Sequence, residues 1–295
     1  MRANAQMRNP PHARPSSPAR APVLGAAFGL LLVLGPMAFG VHGFLILFSL
    51  GGLAIVVGGV IAVAFMSFAA DDVHKALAAV VRMFRDPEAT HEDLRADMAN
   101  ILRWARLIKE RGRQPGSGID AEAIADSFAK YGLNMALSDY PPEEVRRMLE
   151  TAADAAFERD SKVVDILHAM TSHAPAFGMV GTLIGMVTLL GNLGDGISGV
   201  APSLAVAFLS TLYGVLSARM VYMPAAARLQ QELERQRFRH YFIGEGITLL
   251  AARKPPIEIQ DRLNSFLRPD LRDYFDCFEK RPAPAARPRL RAIGS

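Results

Sequence analysis

Long uncharged apolar runs alternate along the chain with densely charged stretches of helical periodicity. Residues 23–41, 43–68, 173–193 and 202–218 contain no Asp, Glu, Lys or Arg. Each is close to or above the ~18 residues needed to cross ~30 Å of hydrocarbon. The first two runs are separated by His42, and the last two by a short Gly-rich connection, residues 191–201. The pattern therefore predicts four membrane helices in two hairpins. The first run is long for the apolar core of a signal peptide and is followed almost at once by a second span, so it is expected to be retained as a helix. Pro36 falls inside it and predicts a kink.

Between and after the hairpins the apolar spacing switches to that of surface helices. Residues 71–111 read as helix, with one stripe of Val73, Leu77, Val80, Val81 and Phe84 and a second of Leu94, Met98, Ile101, Leu102 and Ala105. Residues 114–118 interrupt the pattern. Helix resumes over 124–131, is expected to stop near Gly132, and restarts after Pro141 and Pro142 with Glu143 and Glu144 in its first turn. From Val145 the pattern runs straight into the third apolar run, and the fourth run continues past Pro224 as a charged helix to residue 239. No segment alternates with the period of two that marks a strand. The expected fold is an all-α membrane protein: four transmembrane helices in two hairpins with a helical cytoplasmic domain. Its expected divisions are a disordered basic arm (1–22), a first transmembrane hairpin (23–68), a cytoplasmic helical domain (69–170), a second transmembrane hairpin (171–223), and cytoplasmic C-terminal helices with a tail (224–295).

Charge sets the orientation. Of the 33 basic residues, four lie in 1–22, fourteen in 69–170 and fourteen in 224–295. The remaining one, Arg219, lies just beyond the fourth run and is expected to snorkel to the membrane edge. The connections within the hairpins carry none. Positive-inside logic places both termini and the middle segment in the cytoplasm; the basic arm reads first as a structureless tether, with a position near anionic lipid headgroups as the alternative. The net charge of +4 is explained by this bias, so no nucleic-acid partner is required. The single Cys277 excludes an intramolecular disulfide and stands in no metal-ligand cluster. No nucleophile–base set, metal motif or nucleotide loop appears, so neither an enzyme nor a cofactor is expected.

The second hairpin carries the chemistry. Gly178, Gly181, Thr182 and Gly185 on its first helix, and Ser203, Ser210, Thr211, Gly214 and Ser217 on its second, place glycines and hydroxyls at three- and four-residue spacing. The small residues suit close helix packing. A self-sufficient ion path would be expected to carry a carboxylate within the bilayer, and these runs have none, so the path calls for an acid from another subunit.

The segment Ala174-Pro175-Ala176-Phe177-Gly178-Met179-Val180-Gly181-Thr182-Leu183-Ile184-Gly185, followed by Ser210-Thr211-Leu212-Tyr213-Gly214 and Pro224, resembles the paired-helix signature of MotA/PomA flagellar stator subunits. The likeness covers roughly residues 23 to 268. It includes Val56-Val57-Gly58-Gly59 in the second run and Glu245-Gly246-Ile247 near the tail. The distant ExbB/TolQ proteins have three spans, so the four-span pattern disfavours that branch. The resemblance implies a homopentamer of this chain around a MotB-like subunit whose membrane aspartate carries H⁺ or Na⁺. It implies an ion path at Thr182, Thr211 and Ser210, the last standing where many relatives have a second Thr. It also implies conformational coupling at Pro175 and Pro224. Contact with a FliG-like rotor protein is expected through Lys109, Arg113, Asp120 and Glu122, although Ala121 stands where ungapped spacing would put the family's acid. The expected function is an ion-driven torque generator. A related subunit of a non-flagellar envelope machine is the alternative, and a scaffold without conduction is a third reading, disfavoured by Thr182 and Thr211 occurring together with the two prolines.

Overall fold

The computed structural model describes Leu31, Gly35 and residues 49–83, 90–111, 124, 126–138, 140–192 and 197–267. The basic arm, most of the first apolar run, and Arg113, Asp120 and Glu122 lie outside these residues. Among the described residues the regular structure is entirely helical. In chain order the helices are α1 (Leu50–Ser67), α2 (Ala70–Arg82), α3 (Thr90–Arg111), α4 (Ser127–Leu137), α5 (Pro142–Gly191), α6 (Ile197–Leu216), α7 (Met223–Ala251) and α8 (Pro256–Asn264). Two of them contain or adjoin a wider π-helical turn, Ala54–Gly58 within α1 and Ser217–Tyr222 between α6 and α7. Three helical stretches among the described residues are long and apolar enough to cross a membrane: α1, α5 and the continuous α6–α7 rod. At 1.5 Å per residue, the 50 residues of α5 extend about 75 Å, more than twice the hydrocarbon thickness. Its C-terminal part is long and apolar enough to cross a membrane, and its N-terminal part is charged.

The described chain forms two compact units, residues 1–92 with 151–239 and residues 93–150 with 240–295. The helices α3, α5 and α7 each contribute to both. In the first unit, α1 turns into α2 within two residues, and the buried faces of both helices pack on α5 and the start of α7. Val60, Ala64, Val73, Ala76, Val163, Ile166, Leu167, Met170, Tyr222 and Ala226 form this core. Of the predicted stripe, Val73 is buried, Leu77 and Val80 are half-buried, Val81 is exposed, and Phe84 lies outside the described residues. Asp71 and Asp72 sit in the first turn of α2, where the helix dipole favours negative charge. Asp72 also bonds Lys75 at 2.9 Å and holds its ammonium above the ordinary value. At the other end of α2, Arg228 of α7 donates to the Met83 carbonyl at 2.5 Å, a cation on the negative end of the dipole. Asp154 of α5 takes two bonds from Arg237 of α7, at 2.7 and 3.0 Å, and the guanidinium lies 4.8 Å from the centre of the Phe157 ring.

In the second unit, Met98, Ile101, Leu133, Leu149, Phe242, Ile243, Ile247, Ile259 and Leu263 are fully buried. Asp126, rather than Ile124, starts α4 by accepting from the N–H groups of Phe128 and Ala129. The helix then runs through Gly132 instead of stopping there. The reason is packing: a Cβ on Gly132 would lie 2.6 Å from Ile247, so this glycine admits a core side chain and does not end the helix. Glu245, its side chain 9% exposed, is held by Arg146 at 3.2 Å and Arg262 at 2.8 Å, joining α5, α7 and α8. The α7 rod continues beyond residue 239 to Ala251. It ends with the Arg253 N–H bonded to Leu250, the Lys254 N–H bonded to Leu249, and Arg253 at φ 57°.

Candidate ion-path site

The candidate site is built on α5 and α6, which run antiparallel with almost no side chain between them. A Cβ on Gly185 would stand 2.7 Å from the Ala207 backbone nitrogen, and one on Gly214 would stand 2.6 Å from the Ala174 carbonyl oxygen. A Cβ on Gly178 would stand 3.1 Å from both the Ser210 carbonyl oxygen and the Thr211 Cα. This is backbone-to-backbone packing of the kind small residues permit in a bilayer. The helix α1 joins as a third member: Gly59 accommodates the Phe177 ring, and Gly52 approaches Ser210.

The three hydroxyls expected along the path occupy different environments. Thr182 is half-exposed on α5, and its Oγ1 donates to the Met179 carbonyl at 2.6 Å. Thr211 is exposed on α6, and its Oγ1 donates across the hairpin to the Gly178 carbonyl over a long 3.5 Å. Ser210 is 0% exposed, wedged between Gly181 and Gly52, with its hydroxyl donating to the Val206 carbonyl at 2.5 Å. A donating hydroxyl keeps two oxygen lone pairs, so Thr182 and Thr211 can still accept from water or a protonated carboxyl, or face a cation. Around them, Met179, Leu183, Val187 and Leu190 on α5 and Phe208 and Val215 on α6 are exposed. Large apolar side chains facing outward on a span require lipid or another apolar helix against them.

Both prolines lie where the helices depart from regular bonding. Pro175 is inside α5, one residue past the Ala174 carbonyl that Gly214 touches. Pro224 follows the π-turn Ser217–Tyr222, at whose end the Met223 N–H reaches back five residues to Ala218. Neither proline can donate, so each helix has a weakened rung at its place. Lys109, among the expected rotor contacts, is exposed near the end of α3. Tyr213 carries a contact that sequence spacing does not single out: its hydroxyl accepts the backbone N–H of Ser49 at 3.0 Å. Among the described residues no group of three or more His, Cys, Asp and Glu side chains is placed to hold a metal.

Comparison with known proteins places this arrangement. Residues 120–240 match the model of the MotA/TolQ/ExbB proton channel family. The uncharacterized protein YtxD of Bacillus subtilis is 32% identical over 241 residues, covering 80% of this chain and 86% of that protein. Motility protein A of Borreliella burgdorferi is 33% identical over 173 residues, 58% of this chain and 66% of that protein. The flagellar MotAB stator complex from Bacillus subtilis has a chain of the same fold, with a TM-score of 0.71 at 21% identity, over 86% of this chain and 98% of that chain. Extensive likeness to a relative of nearly the same length, together with a fold of apolar helices packed through glycines, identifies the chain as a membrane protein of the MotA/TolQ/ExbB proton channel family.

Proposed function

We infer that the chain is the channel-forming stator subunit of a bacterial flagellar motor, coupling ion flow to torque on the rotor. The observation that carries the mechanism is the α5–α6 hairpin. It presents two accessible hydroxyls, Thr182 and Thr211, on spans with no carboxylate of their own. A MotB-like partner, as its relative has in the MotAB complex, supplies the aspartate, and copies of this chain surround the partner as a pentamer. The path then runs past Thr182 and Thr211, with Ser210 set behind Thr211 as its packing support. H⁺ or Na⁺ is the cargo, the complex lies in the inner membrane with both termini cytoplasmic, and no covalent chemistry is involved.

The energetics follow from the bilayer. An ionised carboxylate in hydrocarbon is costly, and neutralising it by a proton or a cation removes that cost. Occupied and empty states of the partner acid therefore favour different packings of the surrounding helices. Each elementary charge crossing a 100 mV potential supplies ~2.3 kcal/mol, so the gradient resets the cycle. The rods α5 and α6–α7 carry the change out of the membrane, and the charges at Lys109, Arg113, Asp120 and Glu122 engage a FliG-like rotor protein. The test is swimming speed in cells deleted for this chain and complemented with it, with and without sodium. Loss of rotation with intact flagella, restored by the complementing copy, is the expected result, and the sodium requirement of the rescue assigns the ion. Normal rotation in the deletion strain, with no second stator present, would redirect the subunit to a non-flagellar machine.

A further inference from the structure

We propose that Tyr213 is a positioning residue for the ion path, fixing the rotation of α6 and thereby the direction of Thr211 through its bond to the start of α1. The proposal rests on the reading of Thr211 as part of the path wall. Ser49 is the N-cap of α1: its hydroxyl accepts the Gly52 N–H at 3.3 Å, and its own N–H is donated to the Tyr213 hydroxyl oxygen at 3.0 Å. As the residue before the first turn of α1, Ser49 has no intrahelical partner for its N–H, and leaving a half-buried backbone donor unpaired is costly. The bond joins residues 164 positions apart and is partly buried.

Geometry gives the bond its consequence. Ser210 and Tyr213 are three residues apart and share one side of α6. Both meet α1 over one turn, Ser210 at Gly52 and Tyr213 at Ser49. One contact is steric and the other directional, and together they fix α6 about its own axis. Thr211, between them in sequence, points away from this contact and is exposed. Its own link to the hairpin is the 3.5 Å bond to Gly178, too long to fix its direction alone. Without the tyrosine oxygen, α6 keeps its packing on Gly52 and Gly181 but loses its directional tie to α1. The orientation that presents Thr211 to the path becomes less populated, and apparent ion affinity falls by the same factor.

The test induces the chain gradually in deletion cells and records bead rotation, so that each incorporated stator gives one speed step. Step number reports assembly, step height at high load reports force per unit, and steps at low load are measured against external sodium and external pH. For Tyr213→Phe the expected result is wild-type step number and high-load step height. The half-saturating ion concentration should rise about three- to tenfold, the factor of one interhelical hydrogen bond in a membrane. Ser49→Pro, which removes the same bond from the donor side together with the hydroxyl cap on Gly52, should shift it in the same direction, and Ser49→Ala, which removes the cap alone and keeps the N–H, should not. Fewer steps in both variants, with wild-type ion dependence in those that remain, would assign Tyr213 a purely structural role and overturn the proposal. Thr211→Ala separates the two readings. If it shifts the ion dependence and Tyr213→Phe does not, only the tyrosine proposal fails. If Thr211→Ala shifts nothing, the path assignment itself fails and the tyrosine proposal with it.

Discussion

At the residue scale, two neighbours in sequence occupy opposite chemical settings. Thr211 is exposed on the hairpin, while Ser210 is sealed between Gly52 and Gly181 with its hydroxyl spent on its own helix. Ser210→Ala therefore removes a bond to a carbonyl already inside a helix and exposes no polar group. Its cost is about 0.5–1 kcal/mol of stability, and the ion dependence of rotation is expected to stay within twofold of wild type. A shift as large as that of Thr211→Ala, read from speed against sodium and pH, would place Ser210 in the path after all. The glycine and hydroxyl spacing made the small faces of α5 and α6 legible in the sequence, since helical periodicity alone puts Gly178, Gly181, Thr182 and Gly185 close to one side. It did not separate Ser210 from Thr211. That distinction depends on Gly52 of α1, far from Ser210 in sequence, and no local pattern records which helix lies behind which.

At the scale of elements, periodicity located the long helices and their charged continuations but missed their irregularities. A π-turn inserts one residue into the helical register and leaves composition unchanged, so Ala54–Gly58 and Ser217–Tyr222 leave no signature. Gly132 misled in the other direction. A glycine near the end of an apolar pattern reads as a stop, yet here it sits inside α4 because Ile247 and Leu149 occupy the space of its missing side chain. The π-turn and Pro224 together make the junction of α6 and α7 the weakest stretch of that rod. Pro224→Ala restores an N–H and is expected to raise the melting temperature of the purified complex. The regained helical regularity is worth up to about 3 kcal/mol. Rotation is expected to slow several-fold at unchanged assembly, because a stiffer junction resists the change between packed states. A variant that is more stable and rotates at wild-type speed would show that Pro224 only bends the helix.

For the molecule as a whole, the division into two compact units follows the helices poorly, because α3, α5 and α7 each run on from one unit into the other. Each unit has its own ties between α5 and α7: Asp154 with Arg237 in the first, and Glu245 with Arg146 in the second, where Arg262 of α8 joins. The Asp154 pair is half-exposed and contributes little. Glu245 is nearly buried, so Glu245→Gln leaves two guanidinium groups without their carboxylate. It is expected to cost about 2 kcal/mol and to lower the melting temperature, while ion flux through the spans persists. An unchanged melting temperature would mean that the apolar core of the second unit suffices without the cluster. The proposed function makes the whole molecule an ion path completed by a partner acid. Its most direct test is H⁺ and Na⁺ flux into liposomes containing this chain assembled with a single-span partner, for wild type and for Thr182→Ala/Thr211→Ala. Flux of one ion is expected in the wild type, with at least a tenfold loss in the double variant at equal assembly. Undiminished flux in the double variant would contradict it.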